Sequence, residues 1–143
     1  MTTGSLIEVL VIEDNPLNLE LVTDLLEASG CAVCHAQTAE EGLRLALSTL
    51  PDAILMDISL PGMDGLAATK ALRANPAICH LPVIALTAHA MKGDEENALN
   101  AGCDGYLAKP IDTRTFVARL LGLIKAANSR QTKIQPPVNE HAN

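Results

Sequence analysis

Aromatic side chains are almost missing from this chain, which has one Tyr, one Phe and no Trp in 143 residues. Its core must therefore be built from Leu, Ile, Val and Ala, as suits helices packed tightly on a sheet. There is also almost nothing to stack a flavin. An excess of positive charge is missing too. Lys and Arg number 10 against 17 Asp and Glu, a formal net charge of −7. That balance argues against nucleic acid or an anionic membrane surface as partner and favours a basic or apolar one. No apolar run can span a bilayer: the early stretch "LIEVLVIEDN" is broken by Glu8 and is far too short. No secretory signal is recognisable, so a cytoplasmic location without membrane insertion is expected. A cysteine framework for metal is lacking as well. Cys31 and Cys34 have C-x-x-C spacing but fall in strand-like "CAVCHA", where i and i+3 point to opposite faces. No second such pair joins Cys79 and Cys103, so all four read as small, reduced, semi-buried thiols.

What is present fits one folded domain: hydrophobic residues make up 48% and charged ones 19%. Runs at 8–12 ("EVLVI"), 53–57 ("AILMD"), 82–87 ("PVIALT") and 105–109 ("GYLAK") read as buried strands, and 31–36 ("CAVCHA") as a more polar edge strand. Continuous apolarity implies cover on both faces, as in a parallel sheet between helices. Between them lie helical patterns. Pro16–Ser29 carries Leu17, Leu21 and Leu25 at four-residue spacing, with Asn15 placed to cap it and Gly30 to close it. Thr38 and Glu41 make a capping-box pattern before Leu43, Ala46, Leu47 and Leu50. A weaker helix is expected over 64–74, and a highly charged one over 92–101, ended by Gly102. Phe116, Val117, Leu120, Leu121 and Ile124 form a stripe behind an Asp112 cap. Five strand–helix alternations with right-handed crossovers predict an α/β fold: a doubly wound five-stranded parallel sheet of order 2-1-3-4-5, flanked by five helices. The folded domain is expected over 1–127. The polar stretch 128–143, with Pro136-Pro137, reads as a disordered tail.

In such a sheet, ligands bind beyond the carboxyl ends of the strands. Here the first strand ends in Glu13-Asp14, the third in Asp57, the fourth in Thr87 and the fifth in Lys109. Three carboxylates, a hydroxyl and an ammonium thus meet on one rim. Crowded carboxylates raise one another's pKa unless something positive offsets them. Lys109 is one candidate, and Mg²⁺, which takes few hard oxygen ligands and keeps space for water, is another. Asp57 could then act as a nucleophile towards a phosphoryl group, with Thr87 and Lys109 gripping its oxygens. The plainer readings are helix capping by Asp57 or by Glu13-Asp14, a strand-end Thr87 and a solvated Lys109. Convergence of all of them favours chemistry.

"VIEDNPLN", "ILMDISLPGMDG", "VIALTA" and "YLAKPID" resemble the four signature blocks of the response-regulator receiver domain of two-component signalling, the CheY-like superfamily. The likeness covers about residues 7–127, and the spacing between blocks also fits. It implies that Asp57 is the phosphoacceptor. It further implies Mg²⁺ (or Mn²⁺) held by Asp14 and Asp57, by Glu13 through water and by the Ser59 backbone carbonyl. Thr87 and Lys109 would bind the phosphoryl group, and Tyr106 would swing inward when Thr87 closes on it. Lys109-Pro110 resembles the bond that receivers commonly hold cis. Ser59 and His89, two residues past Asp57 and Thr87, are placed to tune the phosphate's lifetime. The implied partners are a histidine kinase or histidine phosphotransfer protein upstream and a regulated protein downstream. The chain would be a regulator and not an enzyme.

The stretches "EDNPLNLELV" and "TAHAMKGDEENALNAGCDGYLAKPID" look most like single-domain cell-cycle regulators of the DivK type, and also like receivers attached to hybrid kinases. A stand-alone receiver is therefore expected, with an excised hybrid-kinase receiver as the alternative. A phosphohydrolase with an aspartyl-phosphate intermediate would want a second Asp where Ser59 stands, and would need a cap domain. A flavodoxin-like carrier would need a phosphate loop after the first strand.

Overall fold

A computed structural model describes residues 7–58, 65–88 and 92–134, and the side chains of these except 92–95 and 130–134. Ser59 and His89 lie outside the described residues, as does 135–143 of the expected tail. The elements are β1 (Glu8–Ile12), α1 (Pro16–Ala28), β2 (Ala32–Ala36), α2 (Ala39–Thr49), β3 (Ala53–Asp57), α3 (Gly65–Arg73), β4 (Val83–Thr87), α4 (Lys92–Ala101), β5 (Gly105–Ala108) and α5 (Phe116–Ile134). The sheet is parallel throughout, in the order β2-β1-β3-β4-β5. Every residue of β3 and β4 is buried, whereas β2 at the edge is only partly so, which explains why its sequence is the most polar.

Two apolar layers sandwich this sheet, as alternate strand residues point to opposite faces. Val9, Val11, Leu55, Ile84 and Leu86 pack with α1 and α5. Leu10, Ile12, Ile54, Met56 and Ala85 pack with α2, α3 and the end of α4.

The helices start and stop where their end residues dictate. Asn15 caps α1, its Oδ1 accepting from Leu17 N at 2.9 Å and Asn18 N at 3.4 Å. Thr38 Oγ1 accepts from Glu41 N at 3.1 Å, and Glu41 reaches back to Gln37 N at 3.2 Å. Gly30 and Gly102 close α1 and α4 at φ 91° and 113°, each in a Schellman turn.

Which face each helix buries differs from the leucine spacing. In α1 the buried residues are Leu19, Val22 and Leu26, while Leu17 is 75% exposed. In α2 they are Ala39, Gly42 and Ala46, with Leu47 and Leu50 exposed. In α2 the reason is close approach: a Cβ on Gly42 would run into the Ile12 side chain, so small residues face the sheet and leucines flank it. Helix α5 also runs past the expected limit of 127, to Ile134. Ala127 is still buried, and no Gly or Pro follows it before Pro136. Cys31 and Cys103 are buried and Cys34 half-buried as expected, but Cys79 is exposed; all four are free thiols.

Candidate functional site

Strand register places the acidic and basic groups. Ile12 pairs with Met56 across β1 and β3, so Glu13 and Asp57 follow side by side. Asp57 pairs with Leu86, and Thr87 with Ala108, so Thr87 and Lys109 close the other flank. Backbone bonds carry the ladder one step further: Glu13 N donates to Ala36 O at 3.0 Å, Ile58 N to Leu86 O at 3.1 Å and Lys109 N to Thr87 O at 2.7 Å. The rim is a continuation of the sheet, so the ladder bonds hold its backbone in place.

Glu13, Asp57 and Thr87 are all buried there, at 0%, 1% and 3% exposure. Asp14, the next residue, faces solvent. Lys109 bridges the two buried carboxylates, its Nζ 3.0 Å from Asp57 Oδ2 and 3.2 Å from Glu13 Oε1. Burial alone would lower the Lys109 pKa, but the hydrogen bond and charge of Asp57, followed by Glu13, outweigh it and raise the value. One ammonium does not balance the set. Burial first, then a hydrogen bond with Asp57, push the Glu13 carboxyl up from 4.5 to about 7, against the Asn15 N–H and Lys109. That N–H donates to Glu13 Oε2 at 3.1 Å. Glu13 Oε1, though at ion-pair distance from Lys109, makes no aligned hydrogen bond.

The donor set fits a hard divalent cation. Glu13, Asp14 and Asp57 each offer a carboxylate oxygen, all within 4.8 Å of one another. A buried oxygen without an aligned donor and a carboxyl whose pKa is pushed upward are what a site short of positive charge shows.

Of the other expected residues, Pro110 follows a cis bond from Lys109. Tyr106 is half-buried and lines a cleft of about 490 Å³ with Leu99, Asp104, Arg119 and Leu123, beside α4 and α5. Sequence reading missed Gly65, the first residue of α3. A Cβ there would sit 2.5 Å from the Asp57 carbonyl oxygen and 2.6 Å from Ile58 Cα. Its one signal was a glycine after Asp64, which reads only as part of a turn. Among the described residues no helix is long and apolar enough to cross a membrane.

The chain is 48% identical over 109 residues, 76% of its length, to the polar-differentiation response regulator DivK of Brucella ovis, of which it covers 89%. It superposes on the receiver domain of the sensor histidine kinase PA1611 from Pseudomonas aeruginosa with a TM-score of 0.77 and 39% identity, covering 85% of this chain and 99% of that one. That structure carries a magnesium ion coordinated in its active-site cleft. A CheY-like receiver-domain protein from Methanospirillum hungatei gives a TM-score of 0.78 at 27% identity, over 88% of this chain and 99% of that one. The family model of the response regulator receiver domain matches residues 9–121, a span that holds all the strand-end groups described above. A rim of carboxylates closed by threonine and lysine, on a sheet of this order and within that match, makes this chain a member of the response-regulator receiver-domain family of two-component signalling.

Proposed function

We propose that the chain is a phosphorylation-controlled switch of a phosphorelay, accepting a phosphoryl group on Asp57 from the phosphohistidine of a histidine kinase or histidine phosphotransfer protein. The observation that carries this is the pair of buried carboxylates, Glu13 and Asp57, held together under a single ammonium at the ends of adjacent strands. In the transfer, an Asp57 carboxylate oxygen bonds to phosphorus as the donor's N–P bond breaks, and the imidazole nitrogen keeps the electron pair. Lys109, already at Asp57 Oδ2, is placed to pair with a phosphoryl oxygen, and the Thr87 hydroxyl to donate to another. Asp14 and Asp57, with Glu13 through water and the Ser59 carbonyl, would hold Mg²⁺ (or Mn²⁺). That ion supplies charge neutralisation for the phosphoryl oxygens.

Closing of Thr87 on the phosphoryl group would let Tyr106 turn inward and reshape the α4–β5–α5 face for a downstream regulated protein. Ser59 and His89 would set the lifetime of the phosphate. The chain acts as a regulator, its only chemistry being its own phosphorylation and dephosphorylation. The higher identity to the DivK relative, 48% against 39% for the sensor-kinase receiver, favours a regulator of the DivK type.

Intact mass after incubation with acetyl phosphate and Mg²⁺ tests the reading. A single hydroxylamine-sensitive adduct is expected, lost in Asp57→Asn and in EDTA. No adduct from acetyl phosphate and none from a phosphorylated histidine phosphotransfer protein would refute it.

A further inference from the structure

A second polar cluster lies at the opposite rim of the sheet, around Arg73 in the last turn of α3. Its guanidinium uses all five of its N–H groups. Nε and Nη2 donate to Gly102 O at 2.9 and 2.7 Å. Nη1 donates to Cys79 O at 2.8 Å and to Leu81 O at 2.6 Å. Nη2 also pairs with Asp104 Oδ2 at 2.8 Å. That same oxygen accepts from Val83 N at 2.9 Å, and Asp104 N donates to Val83 O at 2.7 Å. Five segments therefore meet in one knot: the end of α3, the turn after it, the start of β4, the end of α4 and the start of β5.

Packing reinforces the bonds. Gly102, in the left-handed conformation, lies so close to Arg73 that a Cβ on it would be 2.9 Å from Arg73 Cγ. The Schellman turn of α4, with Gly102 N on Leu99 O and Cys103 N on Ala98 O, is thus gripped from outside as well as closed from within. The knot sits at the entry of β4, whereas Thr87 is the exit of the same strand, about 13 Å away at ~3.3 Å per residue. Helix α4 runs back from the Thr87 rim to the knot. Ala98 and Ala101, its buried residues among those with described side chains, both lie near the knot end.

We propose that Arg73 is a positioning residue that pins the C-terminal end of α4, so that movement of this helix is a swing of its N-terminal end alone. The swing itself rests on the proposed function, while the pin does not. Arg73 touches neither Asp57 nor anything bound there; it fixes the fulcrum. Lysine cannot replace it, since three donors on a flexible stem do not reproduce the planar five-donor fork that serves these four acceptors.

Hydrogen exchange of the full chain, at rest and with Mg²⁺ plus beryllofluoride as a phosphoryl stand-in, separates the two claims. At rest, Arg73→Lys should exchange roughly ten- to a hundred-fold faster at 99–104, while the amides of Leu55 and Ile84 keep their protection. With beryllofluoride, wild-type exchange should change at 92–96 and stay fixed at 99–104; in Arg73→Lys both segments should respond. Unchanged protection at 99–104 in the variant, or an equal loss across the whole sheet, overturns the pin. A wild-type response at 99–104 as large as that at 92–96 also overturns it. No wild-type response anywhere would count against the phosphoryl site instead, and the resting comparison would still decide the pin. Asp104→Asn, which keeps the shape of the knot, serves as the second variant and should give the same pattern.

Discussion

Gly65→Ala tests whether the packing behind Asp57 matters as much as the charges in front of it. The new Cβ would lie 2.5 Å from the Asp57 carbonyl oxygen and 2.6 Å from Ile58 Cα. Both are backbone atoms, so no side chain can turn aside. To reach an ordinary contact of 3.4 Å or more, the start of α3 and the end of β3 must part by roughly 1 Å. Overpacking of this kind costs about 1–3 kcal/mol. The gain in helix propensity from Gly to Ala recovers at most about 1 kcal/mol, and less at a first helical residue. A net loss of about 1–2 kcal/mol is expected, moving the urea midpoint down by about 1 M at a slope of about 1–3 kcal/mol/M. Gly122→Ala is the control, because nothing lies within 4 Å of its Cβ in α5. There the same exchange should raise the midpoint. Phosphorylation by acetyl phosphate should slow in Gly65→Ala by up to about 100-fold, the cost of a ~1 Å misplacement of a reacting group, and stay unchanged in Gly122→Ala. A Gly65→Ala protein as stable as wild type and as quickly phosphorylated would refute the reasoning.

Two further predictions bear on charge and on helix faces. Glu13 binds its proton more tightly folded, at about 7, than at its ordinary 4.5. Its contribution to stability is therefore full below 4.5 and is lost as pH rises through 7. In EDTA, wild type should fall behind Glu13→Gln by on the order of 2 kcal/mol between pH 5 and 8. Mg²⁺ should restore wild type at pH 8 and not at pH 5, and parallel urea curves at all pH values would count against the site's shortage of positive charge. In α1, Leu26→Ala should cost about 2–5 kcal/mol and Leu17→Ala less than about 0.5 kcal/mol. Equal losses in thermal melts would restore the Leu17, Leu21 and Leu25 stripe as the buried face.

The strands were legible because burial on both faces leaves uninterrupted apolar runs such as "AILMD", and their last residues then name the rim. The Asn15, Thr38, Gly30 and Gly102 signals were legible because capping is local. The inward faces of α1 and α2 were not. Their leucines recur at a helical spacing, yet which side meets the sheet is decided between elements, in α2 by the close approach of Gly42 to Ile12. Lys109 was expected at the rim, but its bridging of Glu13 and Asp57 depends on distances that no local pattern encodes. Arg73 meets its partners Gly102 and Asp104 across 29 and 31 residues. Nothing in the short segment "KALRANP" announces that.

The run of α5 has a consequence for anyone attaching this protein to something else. Because every strand points the same way, β1 begins at the rim opposite Asp57, and α5, returning from the Lys109 side, carries the chain back there and on to Ile134. Its 19 residues, at about 1.5 Å each, make a rod of about 28 Å, twice the span of the four-residue β5. Both Ile7 and Ile134 therefore leave the domain on its far side. A fluorescent fusion, an affinity tag or a biosensor surface joined directly at Ile7 or Ile134 would hold the molecule by its back and leave the carboxylate rim facing the solution.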